Sequence, residues 1–200
     1  MKPYKSFSRE NVDTEIERLP VGGYDLKILD VKFVENQWGD QIVLSFDILE
    51  GEQKDFFRKN YASQTGEDKK WKGTYRLNVP KDDGSEQDQW TQKRFNTVIV
   101  NFEESNPGFY WDWDEQKLKG KIIGALFNNK EYEFNGRHGF FTNCHSLVPV
   151  ELIRSGKYQI PEDTLLKNPS GASAPTGQVD SHGFMNIPDA VNDDYLPFNN

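Results

Sequence analysis

Apolar and polar residues alternate in two runs near the start of the chain. Tyr24, Leu26 and Ile28 alternate with Asp25 and Lys27, and after Leu29 the phase slips, so that Val31 and Phe33 alternate with Asp30 and Lys32. A period of two marks a strand with one buried face, and the slip predicts a β-bulge. Residues 41–50, QIVLSFDILE, repeat the pattern with Ile42, Leu44, Phe46 and Ile48 on one face. A turn at Leu19-Pro20-Val21-Gly22-Gly23 precedes the first strand, and residues 36–40, which carry Trp38, read as the hairpin loop between the two.

The pattern is weaker over residues 53–81. Phe57, Lys59 and Tyr61 share one face of its first part, and Trp71, Gly73, Tyr75 and Leu77 share one face of its second. This predicts a third strand broken by a loop at 63–68. The period then changes. Trp90, Phe95, Val98, Ile99 and Phe102 recur at helical spacing, which predicts a helix over 86–104 with one apolar face. Ser85 is placed to cap it, with Asp88 three residues on, and Asn106-Pro107-Gly108 stops it. Residues 119–133 and 137–150 read as strands four and five around an Asn135-Gly136 turn, with Phe141, Cys144, Leu147 and Val150 inward, and a short helix starts near 150. Beyond Pro161 the chain turns to Pro, Gly, Ser and Ala, as in NPSGASAPTGQVD at 168–180, a composition too poor in large apolar groups to offset its ordering entropy. The order of elements predicts a mostly β fold: a five-stranded oligonucleotide/oligosaccharide-binding (OB) barrel with its helix between strands three and four, at 1–160, followed by a flexible acidic tail at 161–200.

Charge changes the picture at one place. The chain carries a formal charge of −8, yet residues 53–81 hold eight basic groups (Lys54, Arg58, Lys59, Lys69, Lys70, Lys72, Arg76, Lys81) against three acids (Asp55, Glu67, Asp68). Five rings are interleaved: Phe56, Phe57, Tyr61, Trp71 and Tyr75. Cations hold a phosphate backbone and flat rings stack on unpaired bases, so the stretch has the composition of a single-stranded nucleic-acid site. By contrast Trp111 and Trp113 sit among Asp112, Asp114 and Glu115, where phosphate is repelled, and are expected to pack against the end of the barrel. The lone Cys144 forms no internal disulfide, which fits a reducing compartment. The N-terminus lacks a signal peptide's apolar core, and no run approaches the ~20 apolar residues of a membrane helix, so the expectation is a soluble cytoplasmic protein.

Two resemblances follow from particular residues. The chain ends Asp193-Asp194-Tyr195-Leu196-Pro197-Phe198-Asn199-Asn200. This resembles the acidic tip of bacterial single-stranded DNA-binding proteins, which follows a flexible linker and docks replication and repair proteins. The resemblance implies that Asp193 and Asp194 meet a basic socket, and that Leu196, Pro197 and Phe198 fill an apolar pocket. In that family the Phe usually ends the chain, whereas here Asn199 and Asn200 follow it. The runs LPVGGYDLKILDVK, WKGTYRLNVP, EESNPGFYWDWDEQKLKGK and LIRSGKY, spread over most of 19–160, are similar to phage and prophage proteins of Gram-positive bacteria. That resemblance implies an OB-type single-stranded DNA-binding protein of DNA replication or recombination, cytoplasmic in the host.

On that reading Trp71, Tyr75, Phe57 and Tyr61 are the stacking candidates, and Lys54, Arg58, Lys59, Lys69, Lys70, Lys72 and Arg76 the phosphate candidates. Trp38 closes one end of the groove. Alternation sets a limit: a regular strand presents either Trp71 and Tyr75 or Lys70, Lys72 and Arg76 on one face, never both sets. Self-association into a homo-oligomer is compatible with the chain. The rival readings are a protein-interaction or virion-associated β-domain and a carbohydrate-binding domain, the second disfavoured by the cation density.

Other chemistry is thinly represented. Asp47 with Glu52 and Lys54 loosely mimics a magnesium nuclease, but the last two straddle a turn. Cys144, His145 and His138 lack the spacing of a metal site, and Val21-Gly22-Gly23 precedes a strand instead of opening a helix. The expectation is a non-catalytic protein without cofactor or metal.

Overall fold

The structure is a computed structural model that describes residues 18–65, 68–134 and 137–166. Five antiparallel strands form one sheet in the order β3-β2-β1-β4-β5: β1 Gly22–Val34, β2 Gln41–Ile48, β3 Thr74–Asn78, β4 Ile122–Phe134 and β5 Arg137–Val148. The predicted bulge is present, as a register shift between Ile28 and Asp30 against β2. It lets Leu26 and Ile28 before it, and Val31 after it, all face the core. Leu44 and Phe46 of β2, Leu77 of β3, Ile123 and Phe127 of β4 and Leu147 of β5 complete that face.

Helix α1, Phe56–Ser63, replaces the first half of the expected third strand. Phe57 and Tyr61 are four residues apart, a spacing that satisfies a helix face as well as a strand face. Burial of Asp47 decides between them. Its Oδ1 accepts from the amides of Ile48 (2.9 Å) and Phe57 (3.0 Å), and Oδ2 accepts from Arg58 (3.1 Å). A carboxylate from β2 thus caps the first turn of α1, where free amides and the helix dipole favour an anion. Phe57 then packs edge-on against Phe46 at 5.4 Å. Gly73 makes this possible, since a Cβ there would stand 2.4 Å from the Phe46 carbonyl and 2.8 Å from the Phe57 ring.

Helix α2, Glu86–Ser105, matches the expected span, and Ser85 Oγ accepts from the Asp88 amide at 3.1 Å. Phe95, Val98, Ile99 and Phe102 are buried, but Trp90 is exposed: five residues before Phe95, it lies off the face that those four share, whereas Asp88, in phase with them, is buried. The sheet is open: no pairing joins β3 to β5 among the described residues. Instead α2 links the two edges. Arg94 Nη2 donates to the Tyr75 hydroxyl of β3 at 3.3 Å, and Asn101 Nδ2 donates to the Leu147 carbonyl of β5 at 2.9 Å. Helix α3, Val150–Arg154, lies on the other face, where Gly124 admits Ile153 so closely that a Cβ would sit 2.7 Å from it. Arg154 Nε donates to Asp25 Oδ2 at 2.7 Å and holds α3 to β1.

β1 pairs β4 only over Gly22–Lys27 with Ile122–Phe127, so the outer half of the β4–β5 hairpin projects past it. Residues 162–166, assigned by composition to the tail, return along this free stretch. Thr164 N–H donates to the Asn129 carbonyl (2.8 Å), and Glu131 N–H donates to the Thr164 carbonyl (2.9 Å). Asn128 Nδ2 donates to the Glu162 carbonyl at 2.7 Å, and the Leu166 amide donates to Glu131 Oε2 at 2.8 Å. The Leu166 amide, and next the His138 ring, hold the Glu131 carboxyl below its ordinary value of 4.5. A carboxylate whose folded pKa is depressed stabilises above its unfolded pKa, and that contribution disappears as pH falls through the folded value. Residues 162–166 should therefore come away from β4 in acid, read as loss of the Leu166 amide's bonded chemical shift below pH 4.5. A Leu166 shift that stays constant down to acid unfolding would contradict this. The turn at Asn135-Gly136, the arm before Arg18 and the tail with Asp193, Asp194, Leu196, Pro197 and Phe198 lie outside the described residues. Among the described residues no helix is long and apolar enough to cross a membrane.

Candidate nucleic-acid interface

The basic, ring-bearing stretch folds as a turn, α1, a connecting segment and β3. Alternation along β3 resolves the choice posed by the sequence: Tyr75 and Leu77 point into the core, and Arg76 and Asn78 point out. Tyr75 is 6% exposed and Phe57 8%. Both stacking assignments are therefore corrected, since a ring buried among Phe46, Leu44 and α2 has no face for a base. Of the cations, Arg76 projects from β3, with Nη1 donating to Gln41 Oε1 at 3.2 Å. Lys54 is exposed before α1, and Arg58 and Lys59 are exposed upon it. Arg58 lies 3.7 Å from Asp55, an exposed pair of little energetic weight.

Tyr61 and Trp71 are brought together, their ring centroids 5.9 Å apart and their planes tilted by 49°. Tyr61 is 39% exposed. Trp71 is half-buried against the core, and its indole N–H donates to the Gly73 carbonyl at 3.0 Å. Lys69 Nζ stands 5.9 Å from the Tyr61 centroid. Among the described residues, Lys69, Lys70 and Lys72 form no ion pair. Lys72 is exposed by area, but its ammonium is crowded by protein. This desolvation, and next the neighbouring Lys70, press its pKa below the usual lysine range. An anion placed there relieves both costs.

Trp38 is 68% exposed at the tip of the β1–β2 hairpin. The β2–β3 ladder pairs Gln41 with Asn78 at that end and Ser45 with Thr74 at the other. Trp38 and the Tyr61–Trp71 pair thus lie beyond opposite ends of a ladder about 14 Å long, at ~3.4 Å per residue. Between them Lys32, Val43 and Arg76 form a cross-strand row on the outer face. Lys32 is not among the expected site residues, because only the register sets it in line with Arg76, across Val43. The β4–β5 hairpin is the expected one, but its projection past β1 depends on pairing that the sequence pattern does not contain. It carries Tyr132 packed on Phe141 and His138 packed on Phe140, each pair 6.2 Å apart between ring centroids.

The remaining chemical candidates have structural occupations. Asp47 spends both oxygens on backbone amides, far from a metal ligand's role. Burial pushes the Cys144 thiol well up, and burial followed by Arg94 lowers the His145 pKa. Trp111 packs on the core as expected, with its amide donating to Glu103 Oε1 at 2.8 Å. Trp113 departs from expectation: it is 77% exposed, at φ 70°, with its ring parallel to Phe95. No family model matches this chain, and no curated protein is detectably similar to it.

Proposed function

We propose that the protein binds single-stranded DNA without sequence preference, in phage or prophage DNA replication or recombination. Its tail recruits partner proteins through Asp193, Asp194, Leu196, Pro197 and Phe198. The observation that carries this reading is the Tyr61–Trp71 ring pair with Lys69 beside Tyr61, and with Lys70 and Lys72 on either side of Trp71 along the chain, in a protein whose net charge is −8. Concentrated cations with an open ring beside them suit phosphates and an unpaired base, while the acidic remainder repels indiscriminate coating. An antiparallel sheet in the order β3-β2-β1-β4-β5, with a helix between β3 and β4, supports an OB-type reading, on which Trp38 and the β2–β3 face would take the oligonucleotide. Binding needs no chemical step.

Gel shift of the full chain on single- and double-stranded DNA tests this directly. Single strands should shift and duplex should not, with affinity falling steeply from low to moderate salt as counterions are released. Tyr61→Ala should weaken binding by about 1–2 kcal/mol, as for loss of one stacking ring, with little change in stability. Trp71→Ala should lower both affinity and the tryptophan quenching, and stability as well, because Trp71 also packs on the core. Unchanged affinity in both variants would remove the rings from the site.

A second reading has its own observation. Tyr110 and Trp113, each 77% exposed, flank Asp112 on a surface unsuited to phosphate, which fits a protein-docking β-domain. That reading predicts no shift of single strands at any salt concentration.

A further inference from the structure

Gln64 stands just past the end of α1, with extended backbone at φ −64° and ψ 133°. Its side chain binds the backbone of Lys70 at two points. Nε2 donates to the Lys70 carbonyl and Oε1 accepts from the Lys70 amide, both at 2.8 Å. Nε2 also lies 3.2 Å from Asn60 Oδ1, on the last turn of α1. One primary amide thus pairs with a peptide group as a neighbouring strand would, and ties the far side of the connection back to the helix.

Lys70 is flanked by the two residues that meet Tyr61, Lys69 through its ammonium and Trp71 through its ring. Fixing the Lys70 peptide fixes the directions in which both neighbours leave the backbone. The segment has reason to need fixing. Lys69, Lys70 and Lys72 repel one another, and among the described residues no carboxylate pairs with them. Without a latch, repulsion and chain entropy favour spreading the ammoniums apart. Gln64 holds no residue of the buried core, so its bonds organise the surface and leave the fold to others.

We propose that Gln64 is the positioning residue of the interface: its paired bonds to Lys70 preform the arrangement of Lys69, Lys70 and Lys72 beside the Tyr61–Trp71 pair that receives the phosphates of a single strand. The inference rests on the single-stranded DNA reading. A preformed site avoids the ordering cost of binding, and it keeps several cations within reach of one backbone at once.

The test uses the full chain and its Gln64→Met variant, which keeps the side chain's length and removes the amide. Oligothymidine is titrated by tryptophan quenching over a series of salt concentrations. Gln64→Met should bind about tenfold more weakly, the effect of losing two ordinary hydrogen bonds. Its plot of log affinity against log salt should be shallower by roughly 1–2, at ~0.7 for each phosphate no longer neutralised. Gln64→Asn keeps the amide but is one methylene too short to reach Lys70, and should show the same losses. The slope separates positioning from general weakening, which lowers affinity without changing how many phosphates are neutralised. Hydrogen exchange supplies a readout without DNA: the Lys70 amide should be protected in the wild type and exchange at an open-loop rate in both variants. Wild-type affinity and slope in Gln64→Met, or a fast-exchanging Lys70 amide in the wild type, would overturn the inference alone. A wild type that does not bind oligothymidine overturns the DNA reading, and the inference with it.

Discussion

Asp47→Ala will lower the stability of the domain by about 3 kcal/mol, the scale expected when a buried, charge-assisted helix cap is removed. Three amides, those of Ile48, Phe57 and Arg58, lose their acceptor at once, two of them where water has little access. The side chain is buried at the junction of β2 and α1, so truncation also leaves a void. Asp47→Asn keeps one oxygen and should lose about half as much. Urea unfolding followed by circular dichroism measures both, and a loss under about 1 kcal/mol for Asp47→Ala would mean that α1 does not depend on this cap. The effect reaches the interface because Tyr61 and Gln64 are presented from α1 and its end.

Reversing three charges, Lys69→Glu, Lys70→Glu and Lys72→Glu together, should weaken oligothymidine binding by roughly three orders of magnitude at low salt, because phosphate attraction becomes repulsion. Stability should change by no more than about 0.5 kcal/mol, since none of the three is in the core and their mutual repulsion exists in the wild type too. Lys157→Glu, exposed beyond α3, provides the comparison and should change affinity by less than about threefold. Near-normal binding by the triple variant would place the DNA path elsewhere, with the Lys32–Arg76 row and the projecting hairpin as the surfaces to examine next.

β1, β2 and α2 were legible because each has a sustained period and an apolar face, and burial of that face leaves one choice of register. Residues 56–63 form a helix where the sequence suggests a strand, because the Phe57–Tyr61 spacing satisfies both periods over so short a run. The deciding group, Asp47, lies nine residues before the helix and reads as an ordinary polar strand position. The turn from strand to helix freed the rings: as part of a strand they would have shared a face with Lys59, whereas on α1 Phe57 goes inward and Tyr61 reaches Trp71.

Local order in the sequence therefore determined the number of strands, the bulge, the capped main helix and the concentration of cations and rings in one stretch. It also restricted Tyr75 and Arg76 to opposite faces, since neighbours along a pleated strand diverge. Tertiary structure alone decided which face was buried, because that depends on α2 covering the inner side of β3 through Arg94 and Tyr75. The same is true of the open sheet, of Lys32 aligned with Arg76, and of Gln64 bonded to Lys70. Each of these rests on groups distant along the chain or joined across a turn, and a periodic pattern contains no information about what a residue meets there.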